Sequence, residues 1–318
     1  MTLLENPPEA SAPDRPVKAN WFRLLLADPA AFVSALILLL VAFVAVFGKR
    51  LAGDSAIKGD LSLSRLAPFG LDHGWQYVLG GDLLGRSLLG RLMVATQTTM
   101  SVVVPVVLIS LVIGASVGMW AGYHRGWRET VAMRIADVVY SFPSLLMAVV
   151  VLYIFSPSIA SIIAILAITR IPVYLRTARA ESAELQTRLF VDAARTFGTP
   201  SGAIIRRHIF PIVLPTLLTV ATVDFCYVML AESSLSFLGI GVQPPDVSWG
   251  LMVAQGRDQL RTQWWLSVLP GLAIVITTVS ANLLASWVRI ATDPGQRWRL
   301  TTPRRRRRAA RPTVLETT

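Results

Sequence analysis

The chain has 318 residues, 53% hydrophobic and only 15% charged, with a mean hydropathy of +0.57. Several apolar runs approach the roughly 20 residues a helix needs to cross the hydrocarbon core, and they lack the polar faces of a large soluble helical core. One cysteine, Cys226, excludes an intramolecular disulfide framework and any CxxC metal or redox site.

The fold class is therefore an all-α polytopic membrane protein, with six transmembrane helices predicted in chain order. Residues 1–28 form an N-terminal tail. The Asp28-Pro29 break introduces a first span at 29–48, too late and too long for a cleaved signal peptide. A loop completes the 29–96 segment. Five further spans, at 97–121, 131–154, 157–176, 212–238 and 266–290, make a core unit over 97–290. Only a tight Ser156-Pro157 turn joins the third to the fourth. Pro143 removes a helix hydrogen bond and so kinks the third span, which can shape a gate or serve packing; packing is the favoured role. Residues 291–318 form a basic tail that includes Arg304 to Arg308.

An even number of spans puts both termini on one side. That side carries 22 of the 30 Lys and Arg residues, which places both termini in the cytoplasm. The arginine run then reads as an inside-facing anchor near anionic lipid, in preference to a nucleic-acid tail. His73, His124 and His208 lie far apart and in different compartments, so no metal site is expected. Residues 177–211 become the longest internal cytoplasmic loop.

Within that loop Leu185, Leu189, Ala193 and Phe197 follow at i, i+4 spacing, while Glu181, Glu184, Arg188, Asp192 and Arg195 fall mainly on other faces. The pattern predicts an amphipathic helix. Gly198 supplies a left-handed stop, Thr199 can cap a new helix and Pro200 suits its first turn. A second short helix is expected to reach about His208 and to end before Pro211. Two helices at an angle make a knob and not a catalytic pocket. On spacing alone, a docking element and a surface-lying connector both fit.

The stretch FVDAARTFG (190–198) resembles the Glu-Ala-Ala loop signature of bacterial ABC importer permeases. Asp192, Ala193, Ala194 and Gly198 occupy the motif positions, with Asp192 in place of the usual Glu. RRHIFP (206–211) resembles the motif's closing segment. GGDLLGRSLLGRL (80–92), MRIADVVYSFPSLLMA (133–148), ESSLSFLGIGVQPPDVSWG (232–250) and PGLAIVITT (270–278) are similar to segments of the dipeptide/oligopeptide/nickel permease family. The first span, preceded by RLLLADP, resembles that of the C-type partner in a permease heterodimer. Together these segments extend over about residues 20–300.

This resemblance implies a MetI-like permease core in a bacterial plasma membrane. It implies a second homologous permease subunit, two cytoplasmic ABC ATPase subunits, an extracytoplasmic solute-binding protein and surrounding lipid as partners, with no nucleic acid. The ATPase-coupling residues would be Asp192, Ala193, Ala194, Arg195, Gly198, Thr199, Pro200 and Ser201. No cofactor is expected on this chain, since no GxxxxGK[ST] loop occurs; ATP and Mg would sit on the partner ATPases. Peptides are the implied cargo, with nickel chelates, glutathione or haem as alternatives in the same family.

Charged residues inside spans are costly and often face a cavity or a partner. Asp224 lies where the family usually has a small or apolar residue, and is a candidate for substrate selection. Glu232 either pairs with a basic group, faces the path, or makes a structural hydrogen bond between helices. Asp137 and Arg134, one turn apart, are expected to form an interface pair. An intramembrane enzyme would need a constellation such as GxSxG with a His, or HExxH, and neither constellation is read from this chain. A self-sufficient secondary transporter usually carries more spans or visible internal repeats.

Overall fold

The computed structural model describes residues 21–292 except 71, 156 and 157. The predicted Ser156-Pro157 turn, most of the N-terminal tail and the Arg304–Arg308 run therefore lie outside the described residues. Helix α1, Trp21–Ala27, stops at Asp28, whose carboxylate accepts from the backbone N–H groups of Ala30 at 3.1 Å and Ala31 at 3.4 Å. With Pro29 as its first residue, α2 then runs over Pro29–Ala52. Side-chain capping together with an N-terminal proline explains why the chain restarts a helix there. Three short 3₁₀ turns carry it on to Ser87, which caps the 37-residue α3, Leu88–His124.

The predicted third span is two helices. Helix α4, Trp127–Tyr140, and α5, Ser144–Phe155, meet at 80° across Ser141, Phe142 and Pro143. Pro143 therefore breaks the span instead of gently kinking it. Helix α6, Ile159–Leu185, extends well past the predicted end of the fourth span at 176.

Two expectations about the 177–211 loop are corrected. Its first helix is not continuous from 185 to 197. A turn over Gln186–Arg188 separates α6 from the short α7, Leu189–Thr196. The second helix does not end before Pro211 either. Helix α8, Ser201–Ile204, passes through a π-turn at Ile205–Ile209 directly into α9, Phe210–Phe237. The wide turn bonds Phe210 N–H to Ile205 O, and Pro211 falls in the first turn of α9, where a missing N–H is tolerated. Helix α10, Trp249–Gly256, and α11, Trp265–Thr292, complete the described chain. Among the described residues five helical segments are long and apolar enough to cross a membrane, with the α4–α5 pair as a bent sixth.

The centre of the bundle is the parallel contact of α3 with α6. Gly114, Gly118 and Gly122 recur every four residues along α3, and a methyl on each would collide with the carbonyls of Ile171, Leu175 and Arg179 respectively. Such small-residue spacing lets two helix backbones approach closely where lipid offers no hydrophobic drive for association. At either end a serine adds a cross-helix bond: Ser110 Oγ to Ala167 O at 3.1 Å and Ser182 Oγ to Met119 O at 3.0 Å. Below this seam, Met119, Tyr123, Tyr174, Ala178, Val191, Ile204 and Ile209 form a buried cluster that seats α7 and α8.

Candidate coupling site and a buried ionic network

The 186–209 segment is a knob held from beneath. Val191, Ile204 and Ile209 are fully buried, and Ala194 packs beside them. Arg195 Nε donates to the Tyr123 hydroxyl at 3.1 Å, and its guanidinium carbon lies 4.9 Å from the centre of that ring. The Arg195–Asp192 pair is looser, at 3.4 Å, with both side chains substantially exposed. Gly198 has φ +73°, and its N–H closes on Arg195 O at 2.9 Å while Thr199 N–H reaches Ala194 O at 3.1 Å. This is the left-handed helix stop that the sequence predicted. Thr199 does not cap α8, however. Pro200 holds the N-cap position with extended backbone, and no side chain caps the helix.

Of the apolar stripe read from the sequence, Leu185 ends α6 and packs against the buried cluster, while the three members on or beside α7 face the other way. Leu189 and Phe197 are each 87% exposed and Ala193 is exposed between them, whereas the buried edge of α7 is Val191 and Ala194. Period alone cannot say which of two faces meets the bundle, because both stripes repeat at helical spacing. The structure thus brings Asp192, Ala193, Ala194, Arg195, Gly198, Thr199, Pro200 and Ser201 into one element and aims its larger apolar side chains outward.

The other predicted residues lie elsewhere. Asp137 pairs with Arg176 of α6 at 2.8 Å, correcting the expected pair with Arg134, and Arg176 also lies 4.5 Å from the Tyr140 ring centre. A second pair, Arg179 with Glu129, ties the same two helices. Glu232 is fully buried and accepts from Ser236 Oγ at 2.8 Å and Ser233 Oγ at 3.4 Å; it forms no ion pair among the described residues. Both serines belong to α9 itself, so these bonds lie within one helix and differ from the interhelical hydrogen bond and the basic pair among the readings kept open for Glu232. Ser236 Oγ in turn accepts from Val242 N–H at 3.0 Å, fixing the chain that leaves α9.

Asp224 is 2% exposed, with both oxygens engaged. Arg170 Nε donates to Oδ1 at 2.5 Å and the Tyr174 hydroxyl to Oδ2 at 2.9 Å. Arg170 also stacks 4.1 Å from the Tyr227 ring centre, and the Tyr227 hydroxyl meets Ser144 Oγ at 2.6 Å. Sequence reasoning missed Arg170 because, although it falls inside the predicted fourth span at 157–176, it was counted with the cations of the loop that follows. A cation inside a long apolar run was the available signal. Gly114-Ala115-Ser116-Val117-Gly118 does spell GxSxG, unnoticed in the sequence. It lies in mid-helix, and Ser116 has no hydrogen bond to a histidine among the described residues. Its glycines serve packing against α6.

The described residues form a polytopic helical bundle that carries a two-helix knob between α6 and α9, the architecture of a membrane-embedded protein. The sequence profile of the family described as "Binding-protein-dependent transport system inner membrane component" matches residues 114–298. A Brucella abortus permease protein named for a peptide transport system is 35% identical over 297 residues, covering 92% of this chain and 98% of its own length. DdpC of Escherichia coli K12, named for D,D-dipeptide transport, is 33% identical over 295 residues, with 92% and 97% covered. The glutathione transport system permease GsiD of Pectobacterium atrosepticum is 30% identical over 284 residues, with 88% and 93% covered. The chain belongs to this family of binding-protein-dependent permeases, and is a transport component, not an enzyme.

Proposed function

We propose that this chain is one of two homologous permease subunits of an ATP-driven peptide importer, and that its 186–209 knob docks one of two cytoplasmic ATPases. One observation carries the docking assignment. Leu189, Ala193 and Phe197 form an exposed apolar stripe on an element anchored from beneath by buried Val191, Ile204 and Ile209. An exposed apolar patch of this kind, rimmed by Asp192 and Arg195, has the make-up of a protein contact.

Coupling follows from how the knob is attached. It hangs between α6 and the continuous α8–α9 run, and Tyr123 ties it to α3. A partner that closes around ATP and Mg and draws on the knob acts on three spans together. Each nucleotide state then biases access by its differential affinity for one arrangement of those spans. In this reading both termini face the cytoplasm and a solute-binding protein delivers cargo on the opposite side. Peptides are the favoured cargo, since the relatives are named for peptides, D,D-dipeptides and glutathione. The test is Phe197→Asp, alone and with Leu189→Asp, in cells carrying the whole transporter. We expect membrane insertion to persist while ATPase co-purification and labelled-dipeptide uptake are lost. Normal co-purification with both substitutions present would overturn the docking assignment.

A further inference from the structure

Arg170 is the twelfth of the 27 residues of α6, and Asp224 is the fifteenth of the 28 of α9, so their ion pair lies well inside both apolar spans. Asp224 offers nothing to a ligand, being buried with both oxygens occupied. Arg170 is different. Its side chain is 15% exposed, only Nε is used by Asp224, and neither Nη nitrogen has a hydrogen-bond partner among the described residues. Turning such a group toward hydrocarbon is costly, so an intramembrane guanidinium is expected to face protein or a polar cavity.

Its surroundings suit an incoming anion. Tyr227 fixes the plane of the guanidinium from one face, leaving the Nη edge free. A planar fork of N–H donors matches a carboxylate in two parallel bonds. The Tyr227–Ser144 hydroxyl pair stands beside it, and Ser144 opens α5 just beyond the 80° break. The stacking tyrosine thus joins the cation to the broken α4–α5 span.

We propose that Arg170 binds the free α-carboxylate of a peptide as it crosses the membrane, with Asp224 as the positioning residue that holds the guanidinium and balances its charge between passages. The inference rests on the peptide reading above. The paired resting state also explains how a cation is kept inside a span without a bound substrate. An acidic side chain of the second permease subunit is the competing occupant.

The test uses proteoliposomes with the complete transporter and two radiolabelled probes, Ala-Phe and its C-terminal amide. Loading of the binding protein by each probe is verified separately by tryptophan fluorescence. At matched loading the wild type should move the free acid about tenfold faster than the amide, the scale of one charge-assisted contact. Arg170→Gln with Asp224→Asn removes the cation without stranding a buried carboxylate, and should bring the two rates within about twofold by slowing the acid. Arg170→Lys, which keeps the ion pair and hence the fold, should give an intermediate preference and carries the same test if the double variant fails to assemble. An unchanged acid preference in these variants overturns the proposal, as does equal slowing of both probes; loss of permease–permease association in Arg170→Lys also overturns it and would assign Arg170 to the partner subunit. Absence of uptake of either probe by the wild type overturns the peptide reading itself, and the proposal with it.

Discussion

Arg195 of α7 donates to the hydroxyl of Tyr123 at the end of α3 across 3.1 Å, and this contact fastens the knob to a helix far from it in sequence. The bond is charge-assisted and adds a ring contact, but Arg195 remains partly exposed, so solvent screening reduces its worth. Arg195→Ala should therefore loosen α7 by about 1 kcal/mol, a value within the usual span for one such bond. Amide hydrogen exchange over 189–196 should rise several-fold while the spans stay protected. Unchanged exchange there would show that Val191 burial alone holds the knob.

Gly198 and Asp192 separate backbone geometry from surface chemistry. Gly198→Val forces a β-branched residue to φ +73°, although space is open around the site, and should distort the corner between α7 and α8 at a cost of about 1–3 kcal/mol. Asp192→Lys reverses a largely exposed charge and its loose pair with Arg195. Both should abolish ATPase docking while leaving the spans inserted, as followed by co-purification and ATP hydrolysis of the assembled complex. Transport at the wild-type rate in both variants would remove the coupling role of this loop.

Gly118 is the middle rung of the α3–α6 seam. Gly118→Leu should separate the helices, with overpacking costing about 1–3 kcal/mol or more because the opposing atom is backbone and cannot rotate away. Size-exclusion profiles of detergent-solubilised protein should shift to aggregate. Ser116→Leu, on the exposed side of the same helix, should leave them unchanged, a contrast that also tests the packing role assigned to the GxSxG spelling.

Asp137 makes a sharp pairing test. Both Asp137 and Arg176 are nearly half exposed, so the pair should contribute only about 0.2–1 kcal/mol. A double-mutant cycle between Asp137→Asn and Arg176→Gln should nonetheless show coupling, while one between Asp137→Asn and Arg134→Gln should show none. Thermal unfolding of the solubilised permease measures both. Coupling to Arg134 alone would contradict the α4–α6 contact.

Much of the knob was legible before any coordinates. Gly198 announced its stop because a left-handed residue is a local steric demand that glycine meets cheaply. A bend at Pro143 was also visible, since a missing N–H acts on its own helix, but the full 80° break was not. Thr199 misled for the complementary reason: hydroxyl capping competes with the extended Pro200 entry, and a dipeptide does not reveal which prevails. Pro211 misled because it follows a π-turn as the second residue of α9, where its missing N–H does not end the helix.

The sequence by itself determined the spans, the amphipathic loop and the family, because apolar run length, helical period and backbone-limiting residues act over neighbouring positions. Tertiary structure alone decided which stripe of α7 is buried, which acid each arginine of α6 meets, and that Arg170 keeps free donors inside a span. Those outcomes depend on residues tens of positions apart, such as Arg170 with Asp224 and Arg195 with Tyr123, whose distances are set only when α6 packs on α9 and α7 on the end of α3.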